Sequence, residues 1–219
     1  MTQPVNGNRT LHHEGRVAVF IDGSNLYHAL EENCSRTDLN FATFAEKLAD
    51  KRPIYRTYYY NVRQADRQRP RSARGSKDQE RFLNVLYGTQ YLEVRLGRTR
   101  EHQGVTVEKG VDIMLATDLL QYAWRDHYDT GIVVSGDGDF AYAIQTAKDM
   151  GKYVEVATFA SNQSPEIAQV ADRVHTLDTE FFNDLWTTPP EPAKKRRPRR
   201  APRRPRPTTE PTTESEARV

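Results

Sequence analysis

The chain has 219 residues and is 37% hydrophobic, enough for one domain with a packed core and too few for two large ones. No run approaches the roughly 20 apolar residues of a membrane span, and residues 1–14 are polar rather than a basic and then apolar leader. A soluble protein that stays off membranes is therefore expected, and the single cysteine, Cys34, which excludes an internal disulfide and a thiolate metal cage, fits a reducing, cytoplasmic setting.

The formal charge of +2 hides two parts of opposite sign. Residues 187–219 carry 10 Lys or Arg against 4 Asp or Glu, net +6, which leaves 22 basic and 26 acidic side chains, net −4, on the preceding 186 residues. The partition expected is a flexible start over 1–14, one folded domain over 15–186 and a Pro/Arg-rich tail over 187–219. With almost nothing apolar to offset its ordering entropy, that tail is expected to be disordered, and its charge suits a polyanion such as nucleic acid.

In chain order, Arg16-Val-Ala-Val-Phe-Ile-Asp22 is a nearly continuous apolar run, the pattern of a parallel strand covered on both faces, and a helix should follow from about Ser24. A helix over 41–50 and a strand over 54–60 come next, then an Arg- and Gln-rich segment, 61–77, without apolar period, which reads as a loop or arm. Helix is expected again over 77–88, strand over 91–96, a short strand over 105–108 and helix over 111–124. The run Gly131-Ile-Val-Val-Ser135 repeats the buried-strand pattern. It is followed by helix over 140–150, stopped by Gly151, strand over 152–158, helix over 165–170 and a last strand over 173–176. Strand alternates with helix throughout, which predicts an α/β fold with a mostly parallel central sheet, right-handed crossovers and helices on both faces.

Asp22 closes the first strand, while Asp137 and Asp139 directly follow the strand ending at Ser135. Carboxyl ends of neighbouring parallel strands converge on one crevice, so these aspartates can meet although more than 110 residues separate them. Asp112, at the start of a helix, is the fourth candidate. Hard carboxylate ligands without His or Cys companions suit Mg2+ or Mn2+, and such an ion would activate water and neutralise a phosphodiester. Mutual repulsion among the four should raise some of their pKa values. The plainer reading is that each aspartate caps a helix.

Three segments carry a resemblance. Val19-Phe-Ile-Asp-Gly-Ser-Asn-Leu26, Lys109-Gly-Val-Asp-Ile-Met-Leu-Ala-Thr-Asp118 and Val134-Ser-Gly-Asp-Gly-Asp-Phe140 are similar to the signature blocks of the NYN domain, in the LabA-like branch of the PIN-like nucleases. Their order and spacing match, and Gly151–Val156 and Ala171–Leu177 resemble the family's closing strands. The resemblance implies a Rossmann-like (PIN-like) three-layer α/β/α domain with a metal-dependent ribonuclease site. It gives catalytic and metal-site roles to Asp22, Asp112, Asp137 and Asp139, and a supporting role to Asn25. Asp118 enters as supporting only, because six helical residues place it about 240° round from Asp112.

Ser24 and Ser135 adjoin the aspartates and can bond a carboxylate or phosphate oxygen, or simply cap helices. Neither belongs to a Gly-x-Ser-x-Gly elbow, and the six histidines show no catalytic pattern, which argues against a serine hydrolase. Lys109 is a candidate phosphate contact. Arg63, Arg67 and Arg74, in a cation-rich stretch after Tyr58-Tyr-Tyr60, are candidates for gripping single-stranded RNA, against the plainer reading of a solvated loop beside core tyrosines.

The function expected is a Mg2+- or Mn2+-dependent endoribonuclease. A catalytically weak RNA-binding or regulatory module is the alternative, and phosphoryl transfer on small substrates is a third reading that would not need the basic arm. The sequence leaves a homo-oligomer open. The nine Lys or Arg between Lys194 and Arg206 should add affinity for nucleic acid without specificity. Truncation after Trp186 should weaken RNA binding at low salt and flatten its salt dependence, whose slope is about −0.7 per phosphate contact on single strands. Identical binding at every salt concentration would assign the tail to a protein partner instead.

Overall fold

A computed structural model of the chain describes residues 15–63, 73–102 and 105–188. The elements are β1 (Val17–Asp22), α1 (Gly23–Cys34), α2 (Phe41–Ala49), β2 (Ile54–Arg63), α3 (Ala73–Tyr87), β3 (Leu92–His102) and β4 (Val105–Lys109). They continue with α4 (Val111–Trp124), β5 (Thr130–Val134), α5 (Ala141–Asp149), β6 (Tyr153–Phe159), α6 (Pro165–Val170) and β7 (Arg173–Leu177). Among the described residues, seven strands form one sheet in the order β4-β3-β2-β1-β5-β6-β7. β4 runs antiparallel to β3, and every other pairing is parallel. This is the expected α/β architecture with a mostly parallel sheet.

Strand β1 is buried over its whole length, and its alternation divides the core. Val17, Val19 and Ile21 pack with Leu26 and Leu30 of α1, Phe44 and Leu48 of α2 and Leu86 of α3. Ala18 and Phe20 point the opposite way, into Leu115 and Leu119 of α4, Ile144 of α5 and Ile167 of α6. The sequence continues from β1 through β2 and β3 on one side, and from β5 through β6 and β7 on the other. Reversal of the winding direction at β1 and β5 opens a crevice beyond their carboxyl ends.

Two expectations from the sequence need correction. The segment 61–77 is not all loop, since β2 continues to Arg63 and α3 begins at Ala73, with 64–72 outside the described residues. The opening residues of α3, Ala-Arg-Gly-Ser-Lys-Asp, carry no apolar period, and its buried Leu83 and Leu86 come only later. Strand β3 likewise runs past Leu96 to His102, held by backbone pairing with β4 rather than by an apolar pattern. At the other end of the domain the chain stays attached two residues past the expected boundary: the Thr187 and Thr188 amides donate to the Asp38 main-chain oxygen (2.9 Å) and carboxylate (3.2 Å). Residues 1–14 and 189–219 lie outside the described residues, and so do the expectations for them. No helix among the described residues is long and apolar enough to cross a membrane.

One buried charge sits inside the layer on the α1 and α2 face. Glu155 of β6 accepts two bonds from the Arg52 guanidinium, at 2.8 and 2.9 Å, and contacts His175 Nε2 at 2.7 Å. Arg52 also donates to the Ala49 and Leu48 carbonyl oxygens. Burial pushes the Glu155 carboxyl up, but the bonds from His175 and Arg52 outweigh it and hold the group at about 2. Glu155→Gln should therefore cost about 3–5 kcal/mol by leaving Arg52 buried without its counter-charge. Because the folded pKa lies below the ordinary 4.5, the ionised carboxylate's contribution is complete above that value and is lost as pH falls toward 2. Urea unfolding of both forms from pH 7 to pH 3 checks this, and equal midpoints at pH 7 would contradict it.

Candidate functional site

Asp22 is the last residue of β1 and the N-cap of α1. Its Oδ1 accepts from the Asn25 amide at 3.1 Å, and its Oδ2 accepts from the Ser135 hydroxyl at 3.1 Å. The strand end thus becomes a helix start around a single carboxylate, which satisfies an orphan helix amide and ties β1 to the segment after β5. Gly23 is required because a Cβ there would lie 2.4 Å from the Tyr59 ring. Gly136 is required more strictly, since its Cβ would fall 1.9 Å from the Asn162 main-chain oxygen.

A second set of bonds closes the same corner. Asn25 Oδ1 accepts from the Gly136 amide and from Asn162 Nδ2, each at 3.1 Å. The Asp137 amide donates to Ser135 Oγ at 3.2 Å, so Ser135 passes a bond from one aspartate's backbone to the other's carboxylate. Asp137 in turn caps the short 3-10 turn Gly138–Phe140 by accepting from the Asp139 amide at 3.0 Å.

In front of this corner lies a cavity of about 370 Å3 lined by Asp22, Ser24, Asn25, His28, Gly110, Val111, Asp112 and Asp137. Gly110, with φ of +88°, starts α4 with no side-chain cap, and Gly110 and Val111 at this helix start line the cavity. Asp22 is buried, Asp137 half-buried and Asp112 exposed. The Asp22 carboxyl is pushed up to about 6, by burial first, against the lowering effect of the Asn25 and Ser135 bonds, with Asp112 and Asp137 adding repulsion. Crowding was the expected cause; removal from water is the larger one.

The donor set is oxygen-rich and acidic, which suits a hard divalent cation. Among the described residues, no three His, Cys, Asp or Glu side chains are grouped closely enough to hold an ion directly. The arrangement fits a hard divalent cation that keeps most of its waters and takes one or two carboxylates, Asp22 being fixed in direction and Asp112 and Asp137 more exposed.

The sequence candidates therefore separate. Asp22, Asp112, Asp137, Asn25 and Ser24 line the cavity, and Ser135 stands behind it. Asp139 is exposed and is not part of the lining; its amide fixes Asp137. Asp118 lies elsewhere, where it accepts from the Tyr60 hydroxyl at 2.9 Å and sits 3.5 Å from Arg95 Nε. These contacts tie α4 to β2 and β3. Arg63 ends β2, Arg74 is in the first turn of α3 and Lys109 ends β4, while Arg67 lies outside the described residues. Sequence reading did not find His28 or Asn162. His28 follows Ser24 by four residues and Asn25 by three, the spacing that places it on their helical face. Nothing in the sequence marks Asn162.

The NYN domain family model matches residues 16–178. The chain belongs to the NYN domain family. That membership implies a nuclease-type hydrolase of the PIN-like kind. Among its relatives, the chain is 26% identical over 182 residues to "Low amplitude and bright protein LabA" of Synechococcus elongatus, covering 81% of this chain and 91% of that one. It is 30% identical over 105 residues to an uncharacterised protein of Methanocaldococcus jannaschii, covering 47% of this chain and 44% of the relative. A crystal structure of a protein of unknown function from Vibrio parahaemolyticus shares the fold, with a TM-score of 0.62, 21% identity, and coverage of 77% and 96% of the two chains.

A buried carboxylate with a raised pKa lowers stability at neutral pH. Asp22→Asn removes the charge while keeping an oxygen for the Asn25 amide, and should raise stability at pH 7 by on the order of 1–3 kcal/mol. The native cost is present above about 6 and disappears as pH falls below the ordinary 3.8, so the gain should vanish near pH 4. Thermal unfolding at the two pH values checks this; a Tm gain equal at both would assign the effect to something other than charge.

Proposed function

We propose that this NYN domain is an endoribonuclease that hydrolyses RNA phosphodiester bonds with Mg2+ or Mn2+. The observation that carries the reading is the buried, doubly hydrogen-bonded Asp22 at the switch point of the sheet, sharing a cavity with Asp112 and Asp137. When bound, the ion supplies activation of a water and neutralisation of phosphodiester charge.

The protein's own groups divide the remaining work. Asp22 holds one direction because both of its oxygens are anchored, and Ser135 and Asn25 keep it there. Asp112 and Asp137 lie nearer to solvent, and Asp139, exposed and outside the cavity lining, is the fourth aspartate of the proposed set and holds Asp137 through its amide. The first amides of α4, at Gly110 and Val111, and Ser24 offer donors to phosphate oxygens, as helix starts do. Lys109, Arg63, Arg67 and Arg74 are the sequence's candidate cations for the backbone of a single strand, Arg67 lying outside the described residues.

The test is cleavage of single-stranded RNA by the purified chain with Mg2+ or Mn2+, and with EDTA as the control. Asp22→Asn and Asp137→Asn should each lower the rate by about 100-fold or more while the circular dichroism spectrum stays native. RNA that is bound but not cut would assign the chain to the binding or regulatory reading. Equal degradation by wild type and both variants would point to a contaminating nuclease and remove the enzymatic claim.

A further inference from the structure

Beside the acidic cavity lies a second one of different character, about 520 Å3, between α1, α3 and the end of β2. The two share Ser24 and His28 as a common wall. Its lining includes the exposed Tyr27 ring of α1, which meets His28 edge to face at 5.6 Å, and a core cluster built on Tyr59 and Phe82, whose rings meet edge to face at 5.7 Å. Polar groups lie among these rings. Asn61 Nδ2 donates to the Tyr59 hydroxyl at 2.7 Å while its Oδ1 accepts from the Val62 amide at 2.7 Å, and Gln79 Nε2 donates to the Val62 carbonyl oxygen at 3.2 Å, so both carboxamides are held in place at the cavity wall with a second N–H each. Tyr27 is 46% exposed, so its ring is accessible from solvent at the mouth of the cavity.

We propose that this cavity is a subsite for the base of one nucleotide of single-stranded RNA, the nucleotide adjoining the phosphate held in the acidic cavity. The inference rests on the ribonuclease reading for its substrate class. Its occupant follows from the chemistry: a base offers a π face to the exposed Tyr27 ring and a polar edge to the carboxamides, which carry donors and acceptors together. Ligand cavities of 300–1,000 Å3 lined by apolar groups with a few fixed polar ones take groups of this size. The shared wall sets the order along the strand, with sugar and phosphate crossing at Ser24 and His28 and the base turning toward Tyr27.

The experiment is a titration of the full chain with AMP, GMP, CMP and UMP, with ribose 5-phosphate as the control, followed by amide NMR shifts, alongside the RNA cleavage assay. At least one nucleotide should shift the Tyr27, Asn61 and Phe82 signals while ribose 5-phosphate does not. Tyr27→Ala should weaken nucleotide binding about 5-fold or more, the lower end expected for loss of a stacked base, and Tyr27→Phe should restore it. Equal shifts from ribose 5-phosphate, or unchanged binding by Tyr27→Ala, would overturn the subsite. If RNA is cut but no base-dependent shift appears, the subsite alone falls. If nucleotides bind at Tyr27 and no RNA is cut, the subsite stands and the nuclease reading falls. Loss of both would remove both.

Discussion

One carboxylate has to end a central strand, start a helix and face a crevice, and the architecture around Asp22 follows from those three demands. As an N-cap it must lie close to the Asn25 amide; as the end of β1 it must lie against the segment that leaves β5. The residues that follow Asp22 and Ser135 are pressed against other parts of the sheet, Gly23 against Tyr59 of β2 and Gly136 against the Asn162 main chain after β6, nearer than a side chain allows. The bonds from Asn25 to Gly136 and Asn162 carry the same constraint to the loop after β6. Three consecutive strands of the sheet, β1, β5 and β6, are thereby locked at the edge where the cavity opens.

Two buried carboxylates in this one sheet show opposite solutions to the cost of burial. Glu155 receives a guanidinium in bidentate contact and a histidine, and its pKa falls to about 2. Asp22 receives one amide and one hydroxyl, faces two further aspartates, and rises to about 6. The first is a structural charge whose partners are all protein groups. The second is left with electrostatic demand that the protein does not meet, which is the condition in which an added cation gains the most. This difference in partners, rather than the number of aspartates nearby, distinguishes the two carboxylates.

The acidic cavity and the aromatic cavity meet along one side of α1, so a single helix face serves both. Ser24, Asn25 and His28 look toward the carboxylates, and Tyr27 and His28 toward the aromatic rings. A net charge of −4 on residues 1–186 would repel a polyanion, and the +6 of residues 187–219 offsets it within the same chain.

The amino-acid sequence by itself determined the layers and the crevice. The apolar runs ending at Asp22 and Ser135 have the pattern of buried parallel strands, and right-handed crossovers bring the carboxyl ends of such strands together, so Asp22 and Asp137 were legible in the sequence as candidate neighbours. What the sequence could not decide were contacts that follow no period. Helical geometry separated Asp118 from Asp112, but only the packed structure places Asp118 on Tyr60 and Arg95, and Asp139 outside the cavity lining. Asn162 meets Asn25 across 137 positions of chain, and Tyr27, Phe82 and Asn61 line one cavity from three elements. Periodicity reports the direction in which a side chain leaves its own strand or helix. Which distant side chain it meets there, and how far water is excluded from Asp22, depends on how the layers close, and that is fixed only in three dimensions.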